Sequence, residues 1–226
     1  KMVSYLTFGD GPDLILGHGM AQNKNLWIEN GWTEELSKIR KVHVFDFSGH
    51  GENAKLKNNN FEVKDMAQNI KDISIDIECE KFDYIGFSMG ARAGFEAAIK
   101  NQKLDKMISL GMHPGSPKLE EKRFIKRSRA MKQLGEKTGD QKYLIYSKIF
   151  EKALHWKGAI DSINWNRDKH LIIMGEKDDN YQLTRSLIDH IDVEILYTLK
   201  DINHKNTFEE PKHSLNAIIN FLQDGR

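Results

Sequence analysis

The pentapeptide Gly86-Phe87-Ser88-Met89-Gly90 stands between an apolar run (Phe82, Tyr84, Ile85) and a segment, Ala91 to Ile99, of helical character. A strand that turns directly into a helix with one serine at the tip holds that serine in a strained backbone conformation above a parallel sheet. Small residues two places away on either side relieve the crowding, and Gly86 and Gly90 occupy those places. The helix then aims its free N–H groups at the serine, where developing negative charge can be held.

Such a turn needs a sheet around it. Short apolar runs recur along the chain at Leu14–Leu16, Val42–Phe47, Tyr84–Ile85, Met107–Leu110, Leu171–Met174 and Val193–Leu199. Runs of this length, rich in β-branched and aromatic residues and closed by turns, read as buried parallel strands. The spacers repeat apolar positions every three or four residues: Trp32-Leu36-Ile39, Met66-Ile70-Ile73-Ile77, Phe95-Ile99 and Leu183-Leu187-Ile191. The alternation predicts an α/β domain with a mostly parallel central sheet flanked by helices. From His113 to Asp168 it breaks, leaving only helical patterns such as Phe124-Met131-Leu134 and Tyr143-Tyr146-Ile149-Phe150-Leu154. The expected organisation is one domain, with residues 1–112 and 169–226 as core and 113–168 as a helical lid insertion.

Composition narrows the function classes. A net charge of +1, 30% charged and 39% hydrophobic residues describe a globular chain of neither nucleic-acid nor membrane type. The charge is segregated: residues 116–152 hold eleven Lys and Arg against five Asp and Glu. Lys118, Lys122, Arg123, Lys126, Arg127, Arg129 and Lys132 fall on several helix faces without interleaved aromatic platforms, so the reading is a solvated lid surface or an attraction for an acidic substrate, with no nucleic-acid partner. No apolar run reaches the ~18 residues of a membrane span, and the single cysteine, Cys79, forbids an internal disulfide or a thiolate metal cluster. A reducing, cytoplasmic setting is the expectation.

A serine hydroxyl is a weak nucleophile until a base takes its proton, and the base needs an acid to hold its tautomer. After Leu171–Met174 comes Gly175-Glu176-Lys177-Asp178-Asp179, a strand end loaded with carboxylates; after Val193–Leu199 comes Asp201-Ile202-Asn203-His204, a loop histidine. The order serine, acid, histidine is that expected of a hydrolase on such a sheet.

With these pieces the chain resembles the α/β-hydrolase superfamily over nearly its whole length. Leu16-Gly17-His18-Gly19-Met20 is similar to the family's HG turn, and Asp46-Phe47-Ser48-Gly49-His50-Gly51 to its D-x-x-G-H-G loop. Gly175-x-x-Asp178 and the His204 loop, followed by Glu209-Glu210-Pro211, resemble its acid and histidine regions. The resemblance implies Ser88 as nucleophile, His204 as general base, Asp178 as orienting acid with adjacent Asp179 as its rival, and an oxyanion hole from the N–H groups of Met20 and Met89. It implies no cofactor.

His18 and His50 precede glycines at strand ends and could be ligands, bases or substrate contacts, but the chain has no metal-ligand spacing, and a structural role in loop hydrogen bonding is the simpler reading. Gly17-His18-Gly19 starts like a dinucleotide fingerprint, yet Gln22 stands where its third glycine belongs. Arg92, one helical turn past Ser88, either pairs with a loop carboxylate or binds substrate. Gly86-Phe87-Ser88-Met89-Gly90-Ala91-Arg92, with the later His113-Pro114-Gly115, is similar to the menaquinone-pathway branch of the superfamily, which implies a pyruvate elimination and an arginine holding a carboxylate-rich substrate. Three expectations follow: a serine hydrolase acting on a small carboxylic ester, thioester or lactone; a lyase using the same three residues on a charged acid; or a non-catalytic ligand receptor.

Overall fold

Alternation of side chains along each strand divides the apolar residues between two cores. Leu14 and Leu16 face one side of the sheet with Val42, Val44, Ile85, Ile108 and Ile173, while Ile15, Phe45, Tyr84, Met107 and Ile172 face the other. Covering both faces requires helices on both, which is why these strands read as continuous apolar runs. The computed structural model describes residues 3–54, 61–165, 167–189 and 195–224, with backbone alone at 162, 164, 165 and 167.

The described strands are β1 (Tyr5–Phe8), β2 (Asp13–Gly17), β3 (Lys41–Phe45), β4 (Phe82–Phe87), β5 (Leu104–Leu110), β6 (His170–Gly175) and β7 (Leu196–Leu199). They form one seven-stranded sheet in the order β1-β3-β2-β4-β5-β6-β7, parallel except for β1, which runs antiparallel to β3. The described helices are α1 (Asn25–Glu29), α2 (Trp32–Leu36), α3 (Val63–Asp76), α4 (Met89–Lys100), α5 (Glu121–Thr138), α6 (Gln141–Ala153), α7 (Ile160–Trp165), α8 (Tyr181–Ile188), α9 (His204–Glu209) and α10 (Leu215–Gln223). Trp27, Trp32, Phe208, Ile218 and Leu222 of α1, α2, α9 and α10 fill one face; Met66, Ile70, Ile73 and Phe95 of α3 and α4 fill the other.

The α/β-hydrolase arrangement expected from the motifs is therefore the one the chain adopts, with two additions. β1 has no counterpart among the expected strands: it is four residues long, only half-buried, and carries no period that its sequence could advertise. The run Val42–Phe47 stops as a strand at Phe45, because Asp46 turns its side chain back to tie the following loop. Of the run Val193–Leu199, residues 193 and 194 lie outside the described residues, as do Ile191 and the Asn58-Asn59-Asn60 turn.

Residues 113–168 contain no strand among the described residues, only an isolated bridge between Gly115 and Gly158 that closes the base of the segment. Above that base α5 and α6 pack together through Phe124 and Phe150, ring centroids 5.7 Å apart, and through Ser128, Ser147 and Glu151. Trp156 fastens the segment to α4 by donating its Nε1–H to Glu96 at 2.9 Å. Cys79 is buried and donates its thiol to the Ser74 carbonyl. No helix among the described residues is long and apolar enough to cross a membrane.

Candidate active site

Ser88 lies at the tip of the β4–α4 turn with φ 52° and ψ −110°, a region that a residue with a Cβ occupies only under strain. The turn closes only because its flanks lack side chains: a Cβ on Gly90 would sit 2.3 Å from the Gly17 carbonyl oxygen, and one on Gly86 2.5 Å from the Ala91 nitrogen. Tyr84, fully buried beneath, donates its hydroxyl to the Gly90 carbonyl at 2.8 Å.

His204 opens α9, whose start is capped by the Asn203 side chain accepting from the Asn206 N–H at 2.9 Å. Its imidazole packs against Phe87, centroids 5.0 Å apart, and Phe87 in turn stacks on Phe208. The loop is tied to the β6 turn by the Lys177 N–H to the Ile202 carbonyl at 2.9 Å. These supports put His204 Nε2 3.2 Å from Ser88 Oγ and Nδ1 2.6 Å from Asp178 Oδ2. The Asp178 side chain is 1% exposed, and its Oδ1 accepts the Asn180 N–H at 2.9 Å. Asp179 is exposed and makes no such contact. Gly111, at φ 65°, ends β5 directly against the pair: a Cβ there would approach His204 Nδ1 to 3.0 Å and Asp178 Oδ2 to 3.4 Å.

On the β2 side, the Gly19 carbonyl takes the His18 Nδ1–H at 2.7 Å and the Gly19 N–H donates to Gln22 Oε1 at 2.8 Å. The turn so fixed leads into Met20, which lines the same cavity as Ser88 and Met89, the first residue of α4. Among the described residues neither the Met20 nor the Met89 N–H has a backbone or side-chain acceptor.

His18 does not reach the cavity. It is fully buried, and its Nε2 accepts the Phe47 N–H at 3.1 Å while Nδ1–H is spent on Gly19, so no ring nitrogen is free for a substrate. Burial, partly offset by the Gly19 carbonyl and Asp46, pulls its pKa down to about 4. His50 is equally enclosed: its Nε2 accepts the Ala21 N–H at 3.2 Å, its ring stacks on Tyr146, and burial with His18 nearby pulls it down to about 3. Both rings belong to a closed network around Asp46. That carboxylate accepts the Lys24 N–H at 2.7 Å, the Lys24 ammonium at 2.9 Å and the Glu52 N–H at 3.0 Å. Burial alone would raise its pKa, but these donors hold it below the usual carboxylate value.

Above Ser88 opens a cavity of about 740 Å³, counting the space open at its mouth, within the range of small-molecule sites. Phe61, Val63, Met66, Phe124, Ile149 and Phe150 make its wall apolar. Of the aromatic residues in 113–168, Phe124 and Phe150 line the cavity; Tyr146 and Trp156 are buried in packing, Tyr143 is partly buried, and the Trp165 side chain lies outside the described residues.

Three arginines share this cavity: Arg92 from α4, and Arg123 and Arg127 from α5. Arg92 does not pair with a loop carboxylate. It is 5% exposed, sits over the Phe124 ring at 5.0 Å, and its one recorded polar partner is Met112 Sδ at 3.2 Å. Its Nε–H is buried with no acceptor, and so is that of Arg123. Burial first, then repulsion by Arg123 and Arg127, pulls the Arg92 pKa down to about 9, which still leaves it charged at neutral pH. The sequence puts the basic residues of α5 on several helix faces, as a solvated lid surface or an attraction for an acidic substrate, and Lys122, Lys126, Arg127, Arg129 and Lys132 are exposed. Arg123, half-buried, and the exposed Arg127 border the cavity beside the buried Phe124, and their four-residue spacing around an aromatic was the signal available. Among the described residues, no three His, Cys, Asp or Glu side chains converge as a metal-ligand set.

Residues 12–140, more than half of the chain, match the model of a family described as alpha/beta hydrolase fold. That span holds Ser88, the His18 turn and the Asp46 loop, whereas Asp178 and His204 lie beyond it. A pimeloyl-[acyl-carrier protein] methyl ester esterase of Vibrio campbellii is 31% identical over 109 residues, 48% of this chain and 40% of that protein. The chain thus matches about two fifths of the length of that curated relative. Among solved structures, MenH from S. aureus superposes with a TM-score of 0.78 at 15% identity, covering 99% of both chains. A carboxylesterase structure from the thaumarchaeon Nitrososphaera gargenis superposes with a TM-score of 0.80 at 18% identity, covering 97% of this chain and 93% of that one. The sheet order, the strained serine turn and the matched span agree, and the chain belongs to the α/β-hydrolase fold family.

Proposed function

We propose that the protein is a serine hydrolase that cleaves a small carboxylic ester, thioester or lactone bearing an anionic group. The observation that carries the reading is the unbroken contact from Ser88 Oγ through His204 to the buried Asp178, 3.2 Å and 2.6 Å. The Asp178 carboxylate accepts the Nδ1–H of His204 and so leaves Nε2 as the base. Ser88 gives its proton to Nε2 as Oγ bonds to the substrate carbonyl carbon; the carbonyl electron pair moves onto oxygen, and the Met20 and Met89 N–H groups receive that oxyanion. The imidazolium returns the proton to the leaving alkoxide or thiolate, which departs and leaves an acyl-enzyme. A water molecule, deprotonated by His204, adds to the acyl carbon; collapse releases the acid and restores Ser88.

Helices α5 to α7 act as a lid whose Phe124 and Phe150 make the acyl wall, while Arg92 receives the substrate's charge. A buried guanidinium without a counter-ion is costly, and a bound anion offsets that cost. The Vibrio relative is named for a methyl ester on an acyl-carrier protein, which supports an ester as the substrate bond.

The unpaired Arg92 also favours a second reading, an elimination in which His204 and Ser88 abstract a proton from a multiply charged acid, the chemistry implied by resemblance to the menaquinone-pathway branch. Hydrolysis of short and medium p-nitrophenyl esters, measured beside fluorophosphonate labelling, separates the readings. Ser88→Ala should remove labelling and lower turnover by about 10³-fold or more. If the alanine variant kept most of its turnover, Ser88 would not be the nucleophile. Labelling of the parent without ester turnover would favour elimination, and neither signal would favour a ligand receptor.

A further inference from the structure

Asp178 is held from a direction unrelated to the sheet that carries it. Its Oδ2 faces His204, and its Oδ1 takes the main-chain N–H of Asn180. Asn180 is itself pinned. Its carbonyl accepts both the N–H and the hydroxyl of Thr184, at 2.8 and 2.7 Å, and its side-chain oxygen accepts Nη2–H of Arg123 at 2.6 Å.

Arg123 belongs to the first turn of α5, inside the helical insertion. It pairs with Glu120 three residues earlier, and the other Glu120 oxygen accepts the Nε2–H of His113 at 2.8 Å. His113 Nδ1 accepts the Gly115 N–H at 3.1 Å, which fixes the ring proton on Nε2. Burial, then the nearby Arg92 and Arg123, pulls its pKa down to about 3, so it stays a neutral donor. The series His113, Glu120, Arg123, Asn180, Asp178 starts where the chain leaves β5 and ends on the carboxylate facing His204.

Exposed ion pairs fix little. The other members of the series are enclosed, Glu120 at 7% side-chain exposure and His113 and Asn180 buried, and they hold Arg123, whose side chain is 27% exposed. A shift of Asn180 would also carry the N–H that orients the Asp178 carboxylate, and small misplacements in a reacting array are expensive in rate.

We propose that Arg123 is a positioning residue: through Asn180 it sets the Asp178 carboxylate against His204, so that the seating of the helical insertion governs how well Ser88 is activated. This rests on the reading of Ser88 as a hydrolase nucleophile. Arg123 also lines the cavity, but the group aimed at Asn180 is Nη2, whereas Nε is the unpartnered one. Substrate binding and positioning therefore separate by atom, and a probe without negative charge reads the second alone.

The experiment measures the second-order rate of labelling by a neutral alkyl fluorophosphonate in the parent and in Arg123→Gln, Asn180→Ala, their double variant and Arg123→Lys. Asn180→Ala removes the acceptor for Arg123 yet keeps the main-chain N–H. Each single variant should label about 10- to 100-fold more slowly, the double variant no more than about twofold slower again, and Arg123→Lys should regain part of the loss. The low-field proton resonance of His204 Nδ1–H should shift or broaden in Arg123→Gln. Should Arg123→Gln fail to fold, the Asn180→Ala rate and resonance decide. Additive losses, or variants with the parent's rate and an unchanged resonance, overturn the positioning role alone. A parent that does not label sinks the Ser88 reading and this inference together.

Discussion

Two groups of charged residues flank Ser88, and they are built on opposite principles. Toward β2 and β3, Asp46, Lys24, His18 and His50 close upon themselves: the carboxylate has its donors, and each imidazole spends its nitrogens on loop backbone. Toward α4 and α5, Arg92, Arg123 and the exposed Arg127 bring like charge together; Arg123 has Glu120 and Asn180 as partners, yet the Nε–H groups of Arg92 and Arg123 are buried without acceptors among the described residues. A satisfied buried network contributes rigidity and offers nothing to a ligand. An unsatisfied one keeps a desolvation penalty that a ligand can offset. The first group is a scaffold that holds the HG turn and the D-x-x-G-H-G loop together, and the second lines the cavity, where the proposed reading has Arg92 receive the substrate's charge.

Acid should break the scaffold side first, with the largest effect. His18 and His50 of that network, with His113 at the foot of the insertion, have folded pKa values of about 4, 3 and 3, all below the 6.5 of a free imidazole. The unfolded chain therefore binds protons first as pH falls, and stability that is complete above pH 6.5 is lost toward pH 4. Three such groups together account for several kcal/mol by about pH 4.5, comparable with the whole net stability of a domain. Urea midpoints taken from pH 7.5 down to 4.5 should fall throughout; a flat profile between pH 7 and 5 would mean that these rings are not held neutral.

Asp46→Ala attacks the same network by substitution. It takes the buried partner from the Lys24 ammonium, whose side chain is 4% exposed, leaving it only the exposed Glu52 carboxylate at 3.2 Å, and it strands two main-chain N–H groups. Removing one partner of a buried pair costs about 3–5 kcal/mol, which for a chain of this size lowers Tm by roughly 10 °C. A loss below about 1 kcal/mol in chemical denaturation would show the network to be looser than its geometry indicates.

The scaffold side was legible in the sequence because its chemistry is local. His18 precedes its Gly19 acceptor, Asp46 lies six residues from the Glu52 N–H it accepts, and the glycines around Ser88 relieve a turn that they themselves form. The β-strands were legible wherever both faces are buried, and β1 was not, since a half-exposed edge strand gains its order from pairing with β3. The cavity side was hidden because it is assembled across the chain. Arg92 and Arg123 are separated by a strand, a loop and the start of the insertion, and no local pattern tells a helix arginine that its neighbours will be cations rather than carboxylates. The bond from Arg123 to Asn180 spans 57 positions and joins an insertion helix to a loop after β6, so spacing could not announce it. In the turn where Asp178 is the expected acid and Asp179 its rival, the Asp178 N–H closes on the Gly175 carbonyl at 3.0 Å and its carboxylate stands 2.6 Å from His204 Nδ1, whereas Asp179 is exposed at the rim of the cavity.

The smallest effect on stability should come from a deeply buried cation, Arg92, and that contrast tests the comparison most sharply. Arg92→Met fills nearly the same volume with an apolar chain beside Met112 and Phe124 and removes a cation that has no carboxylate partner among the described residues. Replacing a buried unpaired charge by a packed apolar group is neutral or stabilising, so Tm should hold or rise, the reverse of Asp46→Ala. The cost should appear in binding alone. A charge-assisted hydrogen bond contributes about 1.5–3 kcal/mol, so KM for an ester with a carboxylate on its acyl chain should rise about 10- to 100-fold. KM for the matched neutral ester should hold or fall, because the variant no longer desolvates a cation to admit an apolar chain. If Arg92→Met lost as much stability as Asp46→Ala, Arg92 would belong to the scaffold after all; if it weakened neutral and anionic esters alike, its part would be the shape of the cavity and not its charge.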